Sequence, residues 1–125
     1  MISLTELTIE NINNGFLETQ LLELYLLRNC LENNPPWHYN ESVYNHTLFV
    51  LAELERLFEE ADLPLKYYLQ QVSYKTYSRR QLLFATAVFH DIGKPETLKV
   101  EGSKRYCPAH EEEGAKKSIS DFTKI

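Results

Sequence analysis

The chain lacks the features that mark membrane and secreted proteins. No apolar run approaches the roughly 20 residues that a membrane-spanning helix needs, and the segment from Met1 to Glu6 has no positive region followed by an apolar one. Only two cysteines are present, Cys30 and Cys107, far apart and outside any CxxC pairing. We therefore expect neither a disulfide framework nor a zinc knuckle. Together these absences predict a cytoplasmic protein with no membrane partner.

The chain also lacks a basic excess, an internal repeat and a low-complexity tract. Its 13 Lys and Arg residues against 18 Asp and Glu residues give a formal net charge of -5. This balance argues against a broad surface for duplex nucleic acid, although a local basic patch could still meet a phosphate. With 125 residues, 43% of them hydrophobic, the chain is long enough for one domain with one core.

The spacing of apolar residues predicts an all-α fold, a helical bundle that fills residues 1–125 as a single domain. Leucines at three- and four-residue steps predict an N-terminal helix over residues 16–31. The run from Asn33 to Pro36 would end it, because proline lacks the amide donor of a helix. We expect this helix to pack on core helices over residues 40–61, 79–92 and 108–122.

The helix over residues 79–92 has the clearest end signals. Ser78 resembles an N-cap, and Gln81 completes the pattern of a capping box. Residues 82–89 are apolar on all sides of a helix, which predicts a position at the centre of the fold. We expect the helix to end at Gly93 in a left-handed C-terminal cap, with Pro95 preventing its resumption.

The other segments predict little β-structure. Residues 97–106 have the pattern of a short hairpin or an extended loop, too short to build a sheet on. Pro108 suits the first position of the last helix, and the following glutamates favour the positive end of its macrodipole. Between Leu65 and Tyr77 we expect a less regular stretch with a shorter helix and a loop.

The dipeptide His90-Asp91, at the end of the apolar helix, is the most informative feature of the chain. A buried imidazole and a buried carboxylate are costly unless something compensates them, and a divalent cation compensates both. Asp91 would also stand at the negative end of a helix, where it needs a metal or an arginine as partner. Two interpretations stay open here: a metal centre, or a core histidine beside an aspartate that bonds the next loop.

Other residues could join His90 and Asp91. His46 lies on the apolar stripe of another helix and is either a core histidine or, if that helix packs on the His90 helix, a third ligand. His110 is either a ligand or a residue of an ordinary solvated turn. Lys94 either neutralises carbonyls at the helix end or holds a phosphate oxygen as a point charge. We interpret His38 as structural.

At these residues the chain resembles the HD-domain metal-dependent phosphohydrolases. The match rests on His46 and on the string from His90 to Thr97, which reads His-Asp-Ile-Gly-Lys-Pro-Glu-Thr. Within that family, this string and residues 109–115 are most similar to the HD domain attached to bacterial CCA-adding nucleotidyltransferases and to related small stand-alone proteins. The resemblance covers roughly residues 39–118 and implies an HD-like helical bundle.

The resemblance implies a metal-dependent hydrolase that acts on a phosphate ester of a nucleotide or an RNA end. A divalent metal would be held by His46, His90 and Asp91. His110 would be a fourth ligand or a phosphate contact, and Lys94 would be an electrostatic clamp. Imidazole ligands favour manganese, iron, nickel, cobalt or zinc over calcium, and magnesium is also compatible. The expected partner is a small phosphate-containing molecule or an RNA end.

One departure from the family pattern is the lack of a further aspartate on a later helix. The only aspartates are Asp62, Asp91 and Asp121, and Asp121 would fall about 16 Å along a helix from His110. One explanation is a chain that stops before the last helices of the fold, leaving an exposed C-terminal apolar face for self-association. The rival interpretation is a non-catalytic module of the same fold that binds a metal, a nucleotide or a partner protein.

Overall fold

A computed structural model describes residues 2–35 and 38–122 of the chain. The helices within these residues are α1 (Ile9–Asn13), α2 (Leu22–Leu26), α3 (Val43–Glu60), α4 (Leu63–Gln70), α5 (Arg79–Phe89), α6 (Lys94–Thr97) and α7 (His110–Phe122). The strands are β1 (Leu31–Asn34), β2 (His38–Ser42), β3 (Val72–Tyr74), β4 (Tyr77–Ser78), β5 (Lys99–Glu101) and β6 (Lys104–Tyr106).

The helices α3 and α5 pack against each other and supply much of the core. Ser42 caps α3 by accepting a hydrogen bond from the backbone N–H of Asn45 at 3.0 Å. At the start of α5, the predicted capping box of Ser78 and Gln81 is confirmed. The buried residues of the two helices are Val43, Tyr44, Thr47, Leu51 and Phe58 on α3, and Phe84, Ala85, Val88 and Phe89 on α5.

The expectation of an all-α fold is wrong, because the chain builds two antiparallel sheets. One has four strands in the order β2-β1-β6-β5, and the other is the β3-β4 hairpin. The hairpin expected near residues 97–106 is present as β5 and β6, but it is joined to β1 through the pairing of Asn33 with Arg105. No strand signal marks β1, because Leu31–Asn34 is short and polar and lacks β-branched residues.

The single N-terminal helix expected over residues 16–31 is also wrong. The chain instead makes hydrogen-bonded turns, then α2, a 3-10 turn over Leu27–Asn29, and β1. The leucines that suggested the helix, Leu17, Leu21, Leu24 and Leu27, are all buried. The spacing of these leucines correctly indicates which residues face the core. It does not require one continuous helix, because a series of tight turns can bury the same residues.

The three core helices expected over residues 40–61, 79–92 and 108–122 correspond to α3, α5 and α7, with ends displaced by a few residues. The irregular stretch expected after Pro64 is α4 followed by the β3-β4 hairpin. Asp62 caps α4 by accepting from the backbone N–H of Leu65 at 3.0 Å. Asp62 is therefore a helix cap, and it does not belong to the cluster of possible metal ligands.

The prediction that Gly93 forms a left-handed helix cap and that Pro95 prevents further helix is wrong. Gly93 has φ -81°, outside the left-handed region, and Pro95 lies in the first turn of α6. Glycine is needed for a different reason: a Cβ here would lie 2.3 Å from both the backbone N of Gly114 and the carbonyl O of His110. The absence of a side chain at Gly93 thus lets α7 approach the end of α5. The helix expected to begin at Pro108 begins at His110.

Within the described part of the chain, none of the helices combines the length and the apolar character needed to cross a membrane. The side chains of His38 and Asp121 lie outside the described residues. The interpretation of His38 as structural, and the proposed separation of Asp121 from His110, therefore concern groups that the structure does not describe.

Candidate metal centre

The ends of two core helices bring together His46, His90 and Asp91. His46 lies in the first turn of α3, His90 ends α5, and Asp91 follows directly. Each residue offers one ligand atom, and the three atoms lie within 4.8 Å of one another. The imidazole rings of His46 and His90 have centroids 6.2 Å apart. The packing of α3 on α5, expected from their apolar faces, is what makes this cluster.

The spacing of the ligand atoms is close to that of a coordination shell. Two atoms bound about 2.1 Å from one ion at a right angle are about 3.0 Å apart, and two opposite ligands are about 4.2 Å apart. The Nε2 atom of His90 and the Oδ2 atom of Asp91 are 3.0 Å apart. The limit of 4.8 Å on the other pairs is close to the spacing of two opposite ligands.

Asp91 is the most buried member of the cluster, with 3% of its side chain exposed. Burial acts to raise the pKa of its carboxyl group, but the hydrogen bond from His90 and the charges of His90 and Lys94 outweigh burial and lower the pKa to about 2. Asp91 is therefore ionised at neutral pH. Its Oδ2 atom faces two nitrogens, that of His90 at 3.0 Å and that of Lys94 at 3.2 Å. This oxygen is suited to a cation.

The ring of His90 is fixed by its own helix. Its Nδ1 atom contacts the carbonyl O of Ala87 at 2.5 Å, so Nδ1 carries the proton and Nε2 points to Asp91. Burial lowers the pKa of His90, but the hydrogen bond and the charge of Asp91 outweigh it and raise the pKa overall. With an acceptor at each ring nitrogen, the ion-free site favours the doubly protonated ring, and a metal at Nε2 would replace one of these protons.

Lys94 does not point to the open side of the cluster. Its ammonium contacts Oε1 of Glu32 on β1 and lies 3.2 Å from Oδ2 of Asp91, with 4% of the side chain exposed. Burial lowers the pKa of Lys94, but Glu32 and Asp91 outweigh burial and raise it. The structure therefore places this charge behind Asp91, where it holds the carboxylate in position.

Glu32 and Glu41 are functional candidates that the sequence did not identify. Glu32 contacts Lys94 from β1. Glu41, in β2, lies 3.4 Å from Nδ1 of His46. A carboxylate on one ring nitrogen of a metal-binding histidine orients the other nitrogen toward the ion, so Nε2 of His46 would be the ligand. Glu32 is brought in by β1 and Glu41 by β2, and no signal in the sequence indicated these two strands.

His110 contacts Asp91 but is not part of the three-residue cluster. Its Nε2 atom lies 3.3 Å from the second carboxylate oxygen, Oδ1, and its Nδ1 atom bonds the carbonyl O of Cys107 at 2.9 Å. The close approach of α7 at Gly93 sets this position. Lys117 reinforces it by donating to the carbonyl O of Ile92 at 2.9 Å. In this arrangement His110 orients the Asp91 carboxylate.

A cavity of about 200 Å³ opens beside His90, between α5 and α7. Thr86, Phe89 and Glu111 are among the residues that line it. About a third of the His90 side chain, 34%, is exposed. Of the three cluster residues, His90 is the one that lines this cavity. Comparison of the chain with protein-family models, with curated proteins and with solved structures returned no match.

Proposed function

We propose that this chain is a metal-dependent phosphohydrolase of the HD type, acting on a phosphate ester of a nucleotide or an RNA end. The observation that carries the proposal is the cluster of one ionised carboxylate and two imidazoles on the ends of two packed helices. Two imidazoles and a carboxylate form a ligand set typical of manganese, iron, nickel, cobalt and zinc, and magnesium is compatible with the carboxylate.

A bound divalent ion would supply Lewis-acid chemistry, lowering the pKa of a water molecule and neutralising charge on phosphate oxygens. Side chains of the protein would hold and orient the ligands of this ion. Asp91 brings a buried negative charge, with Lys94 against its Oδ2 atom and His110 against its Oδ1 atom. Glu41 orients His46. Lys94 was expected to contact the phosphate directly. We propose instead that it positions the Asp91 carboxylate.

Glu111 is the glutamate of the 111–113 run that lines the cavity beside His90. Its carboxylate is largely exposed and lies 3.6 Å from Nε2 of His110. From this position it can accept a proton from water that attacks a phosphate in the cavity. Phe89 and Thr86 also line this cavity, and they would contact the part of the substrate that is esterified to the phosphate.

Turnover of nucleotide monoesters and diesters, with added manganese or nickel, tests the proposal. Asp91→Asn and His90→Ala should lose activity. Asp62→Asn is the matched control, because it removes a carboxylate while asparagine still caps α4. Equal rates in all four proteins would remove the enzyme function. Metal binding without turnover would favour the alternative, a non-catalytic module that binds a metal, a nucleotide or a partner protein.

A further inference from the structure

The segment over residues 63–80, which forms α4 and the β3-β4 hairpin, is unlike the rest of this acidic chain. It holds four of the 13 Lys and Arg residues, four of the eight tyrosines, and none of the 18 Asp and Glu residues. The acid-free stretch continues along α5 and ends only at Asp91. A local basic and aromatic surface therefore exists in a protein whose formal net charge is -5.

The aromatic side chains of this segment are on the surface. Tyr67, Tyr68 and Tyr74 are 70%, 52% and 59% exposed, and Val72 beside them is also exposed. None of the residues of α4 is buried. Exposed aromatic rings on a helix and on a hairpin are platforms on which unpaired bases stack.

Two cations lie over these rings, and a third belongs to the same segment. The ammonium of Lys75, at the tip of the hairpin, is 5.5 Å from the Tyr74 ring. The guanidinium of Arg79 lies 4.2 Å from the Tyr68 ring and is held there by a 2.7 Å hydrogen bond to Gln71. Lys66 lies on α4. Arg80 differs, since it pairs with Glu55 at 3.4 Å.

The three cations have no carboxylate partner among the described residues. Their charges are therefore available to a ligand. We define the basic aromatic face by these cations and the exposed rings beside them, namely Lys66, Lys75, Arg79, Tyr67, Tyr68 and Tyr74.

The backbone at Lys75 supports a role for its charge. Its φ of +51° lies in the left-handed region, where glycine or asparagine is the usual residue. A lysine there costs backbone energy that a glycine would not. Lys75 lies in the turn between β3 and β4, with its ammonium beside the exposed Tyr74 ring.

The basic aromatic face connects with the metal cluster along one side of α5. Arg79, Leu83, Thr86 and His90 lie three or four positions apart, so they share one helix face. Leu83 and Thr86 are exposed, and Thr86 and His90 line the same cavity. The helix spans roughly 16 Å. A flexible polyanion bound at the face could therefore run along α5 toward the metal centre without passing a carboxylate on that helix.

We infer that the basic aromatic face binds single-stranded nucleic acid, through stacking of unpaired bases on Tyr67, Tyr68 and Tyr74 and through phosphate contacts to Lys66, Lys75 and Arg79. This goes beyond the proposed hydrolase function, because binding at the face needs neither the metal nor turnover. Charge complementarity selects an anionic ligand, and exposed aromatic rings select one with exposed bases. Duplex DNA or RNA keeps its bases stacked inside and is a poorer fit.

The test is the fluorescence anisotropy of labelled single-stranded RNA and DNA oligonucleotides of about 10 nucleotides, titrated with the full chain in the presence of EDTA. We expect both strands to bind, more tightly than the matching duplex. Tyr67→Ala should weaken binding about fivefold or more. Lys75→Ala should weaken binding and reduce the steepness of its salt dependence by about 0.7 in log–log slope.

The second hairpin supplies a matched control. Lys104 also lies over a tyrosine ring, that of Tyr106 at 4.8 Å, but Tyr106 bonds Glu101 there. Lys104→Ala should therefore leave oligonucleotide binding unchanged. Far-UV circular dichroism and thermal unfolding check that each variant is folded.

The inference is overturned if folded wild-type protein shows no oligonucleotide binding at low salt, or if Lys75→Ala and Lys104→Ala weaken binding equally. Binding to anionic lipid vesicles but not to oligonucleotides also overturns it. None of these results bears on the metal cluster. Conversely, a chain that binds oligonucleotides through this face and hydrolyses nothing supports the inference and removes the hydrolase.

Discussion

Glu32 of β1 and Lys94 of α6 form a buried ion pair, and the Lys94 ammonium also lies 3.2 Å from Oδ2 of Asp91. This contact ties the four-stranded sheet to the metal cluster. Because all three side chains are nearly inaccessible to water, the charge of any one depends on the other two. The position of Asp91 is thus set by a strand far from it in sequence.

Removing Glu32 should destabilise the protein. Glu32→Gln leaves a buried ammonium with one charged partner fewer, a change that typically costs about 3 kcal/mol of unfolding free energy. Urea unfolding of the metal-free protein measures the loss. Glu101→Gln, at an exposed position of β5, is the control and should stay within about 0.5 kcal/mol of wild type. Equal stability of Glu32→Gln and wild type would show that the pair contributes little.

Two glycines that face each other across α6 and α7 should respond oppositely to alanine. A Cβ on Gly93 would lie 2.3 Å from two backbone atoms, so Gly93→Ala should cost at least about 2 kcal/mol and displace His110 from Asp91. A Cβ on Gly114 meets its nearest backbone atom at 3.4 Å, and alanine is the better helix former. Gly114→Ala should be neutral or stabilising in thermal unfolding. A stable Gly93→Ala protein would contradict the close approach.

The histidines should differ in their effect on metal affinity. His46→Ala removes a ligand of the cluster, whereas His110→Ala removes a contact to the far oxygen of Asp91. We expect His110→Ala to weaken binding about 10- to 100-fold and His46→Ala to weaken it more. Isothermal titration with zinc or nickel measures both affinities. If the two losses are equal, His110 is a direct ligand and the cluster rearranges around the ion.

Stability and metal affinity should change with pH in opposite directions. The pKa of His90 is raised, so in the metal-free protein its protonated ring contributes stability that is fully present below about pH 6.5, its unfolded pKa, and is lost as pH rises through the folded pKa. Metal binding requires the ring nitrogen without its proton, so affinity should fall as pH falls through the same range. Thermal unfolding in EDTA and metal titrations across pH 5.5 to 8.5 or so check both trends. Asp91→Asn should flatten the stability profile, because Asp91 is the cause of the raised pKa.

The sequence predicted the helices that carry the candidate ligands better than it predicted their surroundings. Apolar periodicity and the Ser78 cap located α3 and α5, and the burial of one face on each helix accounts for the proximity of His46 to His90. Such signals are local, since they depend on residues within one or two turns. The same periodicity failed at residues 16–31, where buried leucines lie on turns.

The sheet and its two glutamates could not be predicted by the same means. The strand β1 has only four residues, and besides its local pairing with β2 it is held by β6, where Asn33 pairs with Arg105 far along the chain. Pairing over such distances leaves no periodic pattern in a short polar strand. No sequence signal therefore distinguished Glu32 and Glu41 from the other glutamates. Gly93 was misinterpreted for a related reason, because the helix that crowds it comes later in the chain.

The most direct test of the account is the amount of divalent metal that the purified chain binds after dialysis against manganese, nickel or zinc. We expect about one equivalent per chain in wild type and in Asp62→Asn. Asp91→Asn, with the carboxylate at the centre of the cluster replaced, should retain almost none. Wild-type protein without bound metal, or an Asp91→Asn protein that binds as much as wild type, would contradict the metal centre.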